Sequence, residues 1–112
     1  VHPYGIYIAT EGPRFETGAE IQFYKLIGGK VVGMTGVPEV VLAKEKQMCY
    51  SSICAVTNYA AAISPNKLTI TEVIDAMKDC EEKLIKLITK TIKNTVVSRD
   101  CGCQHILDDA II

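Results

Sequence analysis

The sequence lacks the features that identify several large classes of protein. Its 12 basic and 13 acidic residues give a net charge of −1, and they form no basic block that would attract nucleic acid. No apolar run approaches the roughly 18 residues that a membrane-spanning helix needs, and the first residues show no signal-peptide pattern. We therefore expect a soluble, cytoplasmic protein that binds neither nucleic acid nor membrane.

Residues and motifs that commonly carry catalysis are also scarce. The chain has two histidines, His2 and His105, and histidines placed so near the ends of a chain are usually solvated. It contains no Gly-x-Ser-x-Gly, no Walker loop and no Gly-x-Gly-x-x-Gly, so the common signatures of a nucleophile or a phosphate cradle are absent. The polar loops that follow predicted strands are the remaining candidates for function.

Cysteine, in contrast, is abundant. The five cysteines are Cys49, Cys54, Cys80, Cys101 and Cys103. Zinc sites usually show Cys-x2-Cys pairs with further ligands at fixed intervals, whereas the closest pair here is Cys-Gly-Cys with one histidine nearby. We therefore expect no bound metal. Buried thiols fit the pattern, and so do disulfides of the kind found inside hyperthermophile cells.

Strand-like and helix-like segments alternate along the chain. Short runs rich in β-branched and aromatic residues predict strands at 4–10, 31–34 and 48–57. The capping-box pair Thr17 and Glu20 predicts a helix from about Gly18 to Leu26, which ends at a double glycine. This alternation predicts an α/β fold.

Two further helices follow in the same way. Pro38 suits the first turn of a helix that continues to Lys46. The pair Thr69 and Glu72 has capping-box spacing ahead of a long apolar stripe with helical periodicity. Three short strands make a thin sheet for an enzyme core, so we expect the chain to be part of something larger.

Three loops follow the predicted strands, where ligands bind in α/β sheets. Each loop pairs side chains that could stack a planar heterocycle, bond its edge, pack on a sugar or hold an anion. A purely structural interpretation also fits, with the apolar residues in a core and the polar ones at turns and helix starts. The paired residues are Phe15 and Glu16, Met34 and Thr35, and Thr57 and Asn58.

Three motifs, in order, resemble those of the trimeric purine nucleoside phosphorylase and methylthioadenosine phosphorylase family. They are Glu-Gly-Pro-Arg-Phe-Glu-Thr at 11–17, Gly-Met-Thr-Gly-Val-Pro-Glu-Val at 33–40 and Val-Thr-Asn-Tyr at 56–59. The Cys-Gly-Cys near the end is similar to a Cys-x-Cys ending of thermophilic archaeal members. The resemblance implies that residues 1–112 are the C-terminal portion of one domain, a phosphorylase/hydrolase-like mixed sheet flanked by helices, in a trimeric or hexameric complete protein.

The resemblance also implies a role for each loop residue. The reaction would be phosphorolysis, in which inorganic phosphate attacks C1′ of a purine nucleoside and the base leaves, with no further cofactor. Asn58 is the catalytic candidate, because an amide can donate to N7 as negative charge gathers on the purine. The binding roles are Phe15 stacked on the base, Glu16 accepting from N1–H of a 6-oxopurine, Thr57 supporting Asn58, Met34 on the ribose and Thr35 on the phosphate.

The residues that bear on specificity point in two directions. Glu16 with Asn58 resembles the branch that takes 6-oxopurines such as inosine and guanosine. Ile70 and Val73 fall where the resemblance places the pocket for the 5′ group, and an apolar wall there favours methylthio over hydroxyl. Packing of the long helix against the sheet explains the same two residues equally well.

One departure from the family is large. The glycine-rich and Arg-His phosphate loops that precede this region in family members are absent from the sequence. We therefore expect a fragment, one half of a split protein or an engineered piece, inactive without its N-terminal half. Two rival functions remain: a nucleoside hydrolase, in which water replaces phosphate, and a non-catalytic purine-binding subunit.

Overall fold

The computed structural model describes residues 2–67 and 69–110. It shows strands alternating with helices, which confirms the predicted α/β class. The elements are β1 (Ile6–Ala9), α1 (Gly18–Leu26), β2 (Gly29–Gly33), α2 (Gly36–Glu45), α3 (Ile70–Asn94) and a short 3-10 helix (Gly102–His105).

The sheet consists of β1 and β2, which run parallel and are joined by α1. Tyr7 pairs with Val31 and Ala9 with Gly33. The amide of Thr10 donates to the carbonyl oxygen of Gly33 at 2.9 Å, which continues the pairing beyond β1. Because parallel strands end at the same edge, the loops that leave β1 and β2 start side by side.

Capping boxes begin two of the three α-helices in the described part of the chain. Thr17 caps α1, and its hydroxyl accepts from the backbone of Glu20 while the Glu20 carboxylate accepts from the backbone of Thr17. Thr69 and Glu72 make the same reciprocal pair at the start of α3. Both predicted helix starts are confirmed, as is the end of α1 at Leu26 ahead of Gly28, whose φ of 88° is left-handed.

The predicted strand at 48–57 is wrong. Those residues lie in irregular chain, and the described sheet has two strands, β1 and β2. A β-branched run becomes a strand only when a neighbour satisfies its backbone groups. Within the described residues β1 and β2 bond to each other, and neither pairs with this segment.

The described chain leaves most of its apolar side chains exposed. Its accessible surface is 9765 Å², against about 6,000 Å² for a compact monomer of this size. Its radius of gyration is 16.9 Å, against about 13 Å for a compact domain of roughly 100 residues. Among the described residues, Ile21 is the one hydrophobic side chain that is buried. These elements therefore bury too little apolar surface to make a core of their own.

The long helix α3 also leaves apolar side chains exposed. Ile70, Ile74 and Ile92 on this helix are all exposed. Charged residues alternate with the apolar ones along its sequence. None of the helices in the described ranges has the length and apolar content to cross a bilayer.

Candidate functional site

A carboxylate is fixed at the end of β1. The hydroxyl of Thr10 donates to Oε1 of Glu16 at 2.8 Å, and the pair is partly buried. Thr10 is itself held to β2 through its backbone bond to Gly33. The second carboxylate oxygen, Oε2, accepts no hydrogen bond from the described residues. Glu16 is therefore positioned at the sheet edge with an acceptor left for a ligand.

The loop after β1 touches the end of β2 at one glycine. Gly12 has a left-handed φ of 55°, and a Cβ placed there would lie 2.6 Å from Sδ of Met34. Only a residue without a side chain allows this approach at this backbone angle. The loop that carries Phe15 and Glu16 therefore packs directly against Met34.

An ion pair between Arg14 and Glu20 also fixes the loop that follows β1. Arg14 donates to both carboxylate oxygens of Glu20, at 3.0 and 2.6 Å, and to the carbonyl oxygen of Phe15 at 3.1 Å. The side chain of Phe15 is 78% exposed, so in this chain it is not a core residue. Sequence patterns did not point to Arg14. The one available signal was a basic residue just ahead of a capping box.

The Arg14 guanidinium and the Thr17 donors hold the pKa of Glu20 at about 2, below its ordinary 4.5. Because the folded pKa is lowered, ionised Glu20 stabilises the start of α1 fully above pH 4.5, and this contribution is lost as the pH falls towards 2.

We expect Arg14→Gln to move the midpoint of the Glu20 titration upward, towards 4.5, because the variant removes the guanidinium that favours the ionised carboxylate. An NMR titration of the Glu20 carboxyl carbon measures the shift. Arg99→Gln is the matched control, and equal midpoints for wild type and Arg14→Gln would refute the ion pair.

Thr35 stands at the start of α2, directly after Met34. It occupies the N-cap position, yet its hydroxyl makes no capping hydrogen bond, which leaves it available to a ligand. A helix N-terminus with a hydroxyl beside it suits an anion. Thr35 lines a cleft of about 310 Å³ with Tyr7, Glu39 and Tyr50, and the Tyr50 hydroxyl donates to Glu39 at 3.1 Å.

Thr57 and Asn58 lie in a second, larger cleft. The Thr57 hydroxyl donates to Oδ1 of Asn58 at 2.6 Å, and Nδ2 of Asn58 donates to the carbonyl oxygen of Tyr59 at 2.9 Å. The cleft has a volume of about 520 Å³ and is also lined by Lys67 and Glu72. That volume suits a small molecule. The amide is thus oriented by its neighbours, and its second N–H is left to donate.

The chain that follows Asn58 returns to the first loop. A Cβ on Gly18 would lie 2.8 Å from Cβ of Ala62, so the turn after Tyr59 packs on the first residue of α1. Gly18 comes two residues after Glu16. The segments that carry Glu16, Met34 and Asn58 are therefore linked by direct contacts.

Five of the predicted site residues, among them Glu16 and Met34, line neither cleft. Phe15 is one of the other three. Ile70 is 80% exposed and Val73 is half-buried at the start of α3, and neither lines the clefts. Their roles in base stacking and in the 5′ pocket stay predictions.

The polar groups of this site lie at the carboxyl ends of the parallel strands, which is where α/β domains bind their ligands. The model of the phosphorylase superfamily matches residues 1–93, and the chain belongs to that family. This confirms the resemblance inferred from the three motifs.

Curated relatives are similar over nearly the whole chain. It is 55% identical over 106 residues to a probable S-methyl-5′-thioinosine phosphorylase of Methanothermobacter thermautotrophicus, covering 95% of this chain and 38% of the relative. It is 50% identical over 109 residues to a 6-oxopurine nucleoside phosphorylase of Pyrococcus furiosus, covering 97% and 41%. A probable S-methyl-5′-thioinosine phosphorylase of Methanocaldococcus jannaschii is 51% identical over 108 residues, covering 96% and 42%. The chain thus spans about two fifths of the length of these relatives.

Proposed function

We propose that the chain supplies the base- and ribose-binding part of a purine nucleoside phosphorylase that acts in purine salvage. The reaction consumes a nucleoside and inorganic phosphate and yields the free base and a ribose or methylthioribose 1-phosphate. The observation that carries the proposal is the contact between the loops after β1 and β2. There Thr10 fixes Glu16 by a hydrogen bond, and Gly12 packs closely against Met34. A hydrogen-bond acceptor for a base edge thereby stands beside an apolar surface for a sugar.

The proposed phosphorolysis requires that charge be stabilised at two places. As the glycosidic bond breaks, positive charge grows on the ribose and negative charge on the purine. The free N–H of Asn58 donates to the purine ring, and the Thr57 hydroxyl holds the amide in the orientation that permits it. The N-terminus of α2 and the Thr35 hydroxyl hold phosphate near C1′. No covalent intermediate on the protein is required.

The proposed base is a 6-oxopurine. Its N1 carries a hydrogen, and the unpaired Oε2 of Glu16 accepts from it. The names of the relatives support this choice, since thioinosine and 6-oxopurine nucleosides share the 6-oxo group. Ile70 and Val73 supply an apolar wall for a methylthio group once other protein covers them, because a 5′-hydroxyl would be left unpaired there.

We propose that the partner of this chain is the rest of the family's domain, which the relatives carry in addition to the matched two fifths. The exposed apolar faces of α1 and α3 are the surfaces it covers, since Leu26 and Ile74 otherwise face water. The assembled protein is a cytoplasmic homo-oligomer, a trimer or hexamer, in this proposal.

Reconstitution tests the proposed function. We expect the chain, mixed with the N-terminal part of the Methanothermobacter relative, to release hypoxanthine from 5′-methylthioinosine and inosine when phosphate is present. Neither half alone releases base, and the isolated chain is the control. Release without phosphate would establish a hydrolase instead, and binding of hypoxanthine without turnover would establish a non-catalytic subunit.

A further inference from the structure

Three of the five cysteines meet although they are far apart in the sequence. The sulfur atoms of Cys49, Cys101 and Cys103 all lie within 4.8 Å of one another. Sγ of Cys49 is 3.2 Å from Sγ of Cys101, across 52 residues of chain. Cys49 follows α2, and the other two flank Gly102 where the 3-10 helix begins. The expectation of no metal rested on spacing along the sequence, which could not show this meeting.

A second contact holds the same two segments together. Nη1 of Arg99 donates to the carbonyl oxygen of Gln47 at 2.9 Å. Arg99 precedes Cys101 by two residues, and Gln47 precedes Cys49 by two residues. The backbone on both sides is thereby tied beside the cluster, so the three sulfurs do not depend on one thiol contact for their proximity.

We propose that Cys49, Cys101 and Cys103 form a binding site for a thiophilic divalent cation of the Zn²⁺ class. Tetrahedral zinc bound at about 2.3 Å from each sulfur places the sulfurs about 3.8 Å apart. Sγ of Cys49 lies 3.2 Å from Sγ of Cys101, and no two of the three sulfurs are more than 4.8 Å apart, so the cluster is close to that size.

The remaining coordination position belongs to solvent. Cys49 and Cys101 are exposed, so water reaches the cluster directly. Each thiol loses its proton to solvent as its sulfur bonds the metal, and no oxidant or reductant takes part. Bound metal would cross-link the segment after α3 to the segment after α2, a structural role separate from the proposed phosphorolysis.

Anaerobic metal titration of the reduced chain, assembled with the N-terminal part used for reconstitution, tests the site. We expect one equivalent of Co²⁺ to produce a thiolate-to-cobalt charge-transfer band, which one equivalent of Zn²⁺ removes. Cys101→Ser and Cys49→Ser should abolish the band. Cys54→Ser is the matched control, because Cys54 is an exposed cysteine outside the cluster, and it should leave the band unchanged.

A second measurement needs no variant. Zinc should protect three thiols of the reduced wild-type chain from alkylation, as counted by mass spectrometry. The proposal is overturned if reduced protein gives no cobalt band, if the band survives in Cys101→Ser, or if zinc protects no thiol. It is equally overturned if natively isolated protein lacks two hydrogen atoms and carries a Cys49–Cys101 disulfide instead of metal. None of these readouts depends on enzyme activity.

Discussion

Asn58→Ala is expected to lower kcat of the assembled phosphorylase by about 100- to 1,000-fold, the usual cost of removing one donor to a developing negative charge. The side-chain amide is held by Thr57 and by the Tyr59 carbonyl, and its remaining N–H is free for the leaving purine. Phosphate contacts no part of this side chain in the proposed arrangement, so KM for phosphate should change little. Steady-state kinetics with 5′-methylthioinosine as substrate measure both constants.

Two further variants make this test specific. Thr57→Val keeps the amide but removes the hydroxyl that orients it, so kcat should fall to a value between those of wild type and Asn58→Ala. Asn94→Ala changes an asparagine at the far end of α3 and should turn over normally. Near-normal kcat in Asn58→Ala would remove this residue from the mechanism.

Glu16→Gln should change the choice of base. The carboxylate accepts from N1–H of a 6-oxopurine, and a hydrogen bond to a charged group contributes about 1.5–3 kcal/mol. We therefore expect kcat/KM for inosine or methylthioinosine to fall by about 10- to 150-fold, since roughly 1.4 kcal/mol corresponds to a factor of ten. 6-Aminopurine nucleosides lack that N1 hydrogen, so their smaller kcat/KM should hardly change.

Thr10→Val is the companion variant for this prediction. It leaves the carboxylate in place but removes the 2.8 Å hydrogen bond that fixes Oε1, and we expect a smaller loss with the same dependence on the base. The measurement is the ratio of kcat/KM for inosine to that for adenosine in each variant. An equal fall for both nucleosides would show that Glu16 serves the fold and does not read the base.

The helices were largely predictable because their signals are local. A capping box is complete within four residues, and Thr17 with Glu20 and Thr69 with Glu72 form as the spacing indicates. Strands depend on partners that lie elsewhere. Residues 48–57 have strand-forming composition, but no described strand pairs with them, so composition alone gave the wrong prediction.

The site residues also divide into those that the sequence could predict and those that depend on contacts between distant segments. The loops with Glu16 and Met34 were predictable as ends of neighbouring parallel strands, and their contact through Gly12 is observed. Arg14 was missed because its contact with Glu20 depends on how the loop turns. The meeting of Cys49 with Cys101 was missed because it spans 52 residues. Ile70 stays outside any described cleft, and its predicted role depends on surface that this chain does not supply.

The proposed use of phosphate as the nucleophile rests on the α2 N-terminus and the free hydroxyl of Thr35. The most direct measurement is ³¹P NMR of the assembled protein acting on 5′-methylthioinosine in phosphate buffer. We predict that a sugar 1-phosphate resonance grows in step with released hypoxanthine, one for one. Free methylthioribose, accumulating with no loss of inorganic phosphate, would contradict phosphorolysis.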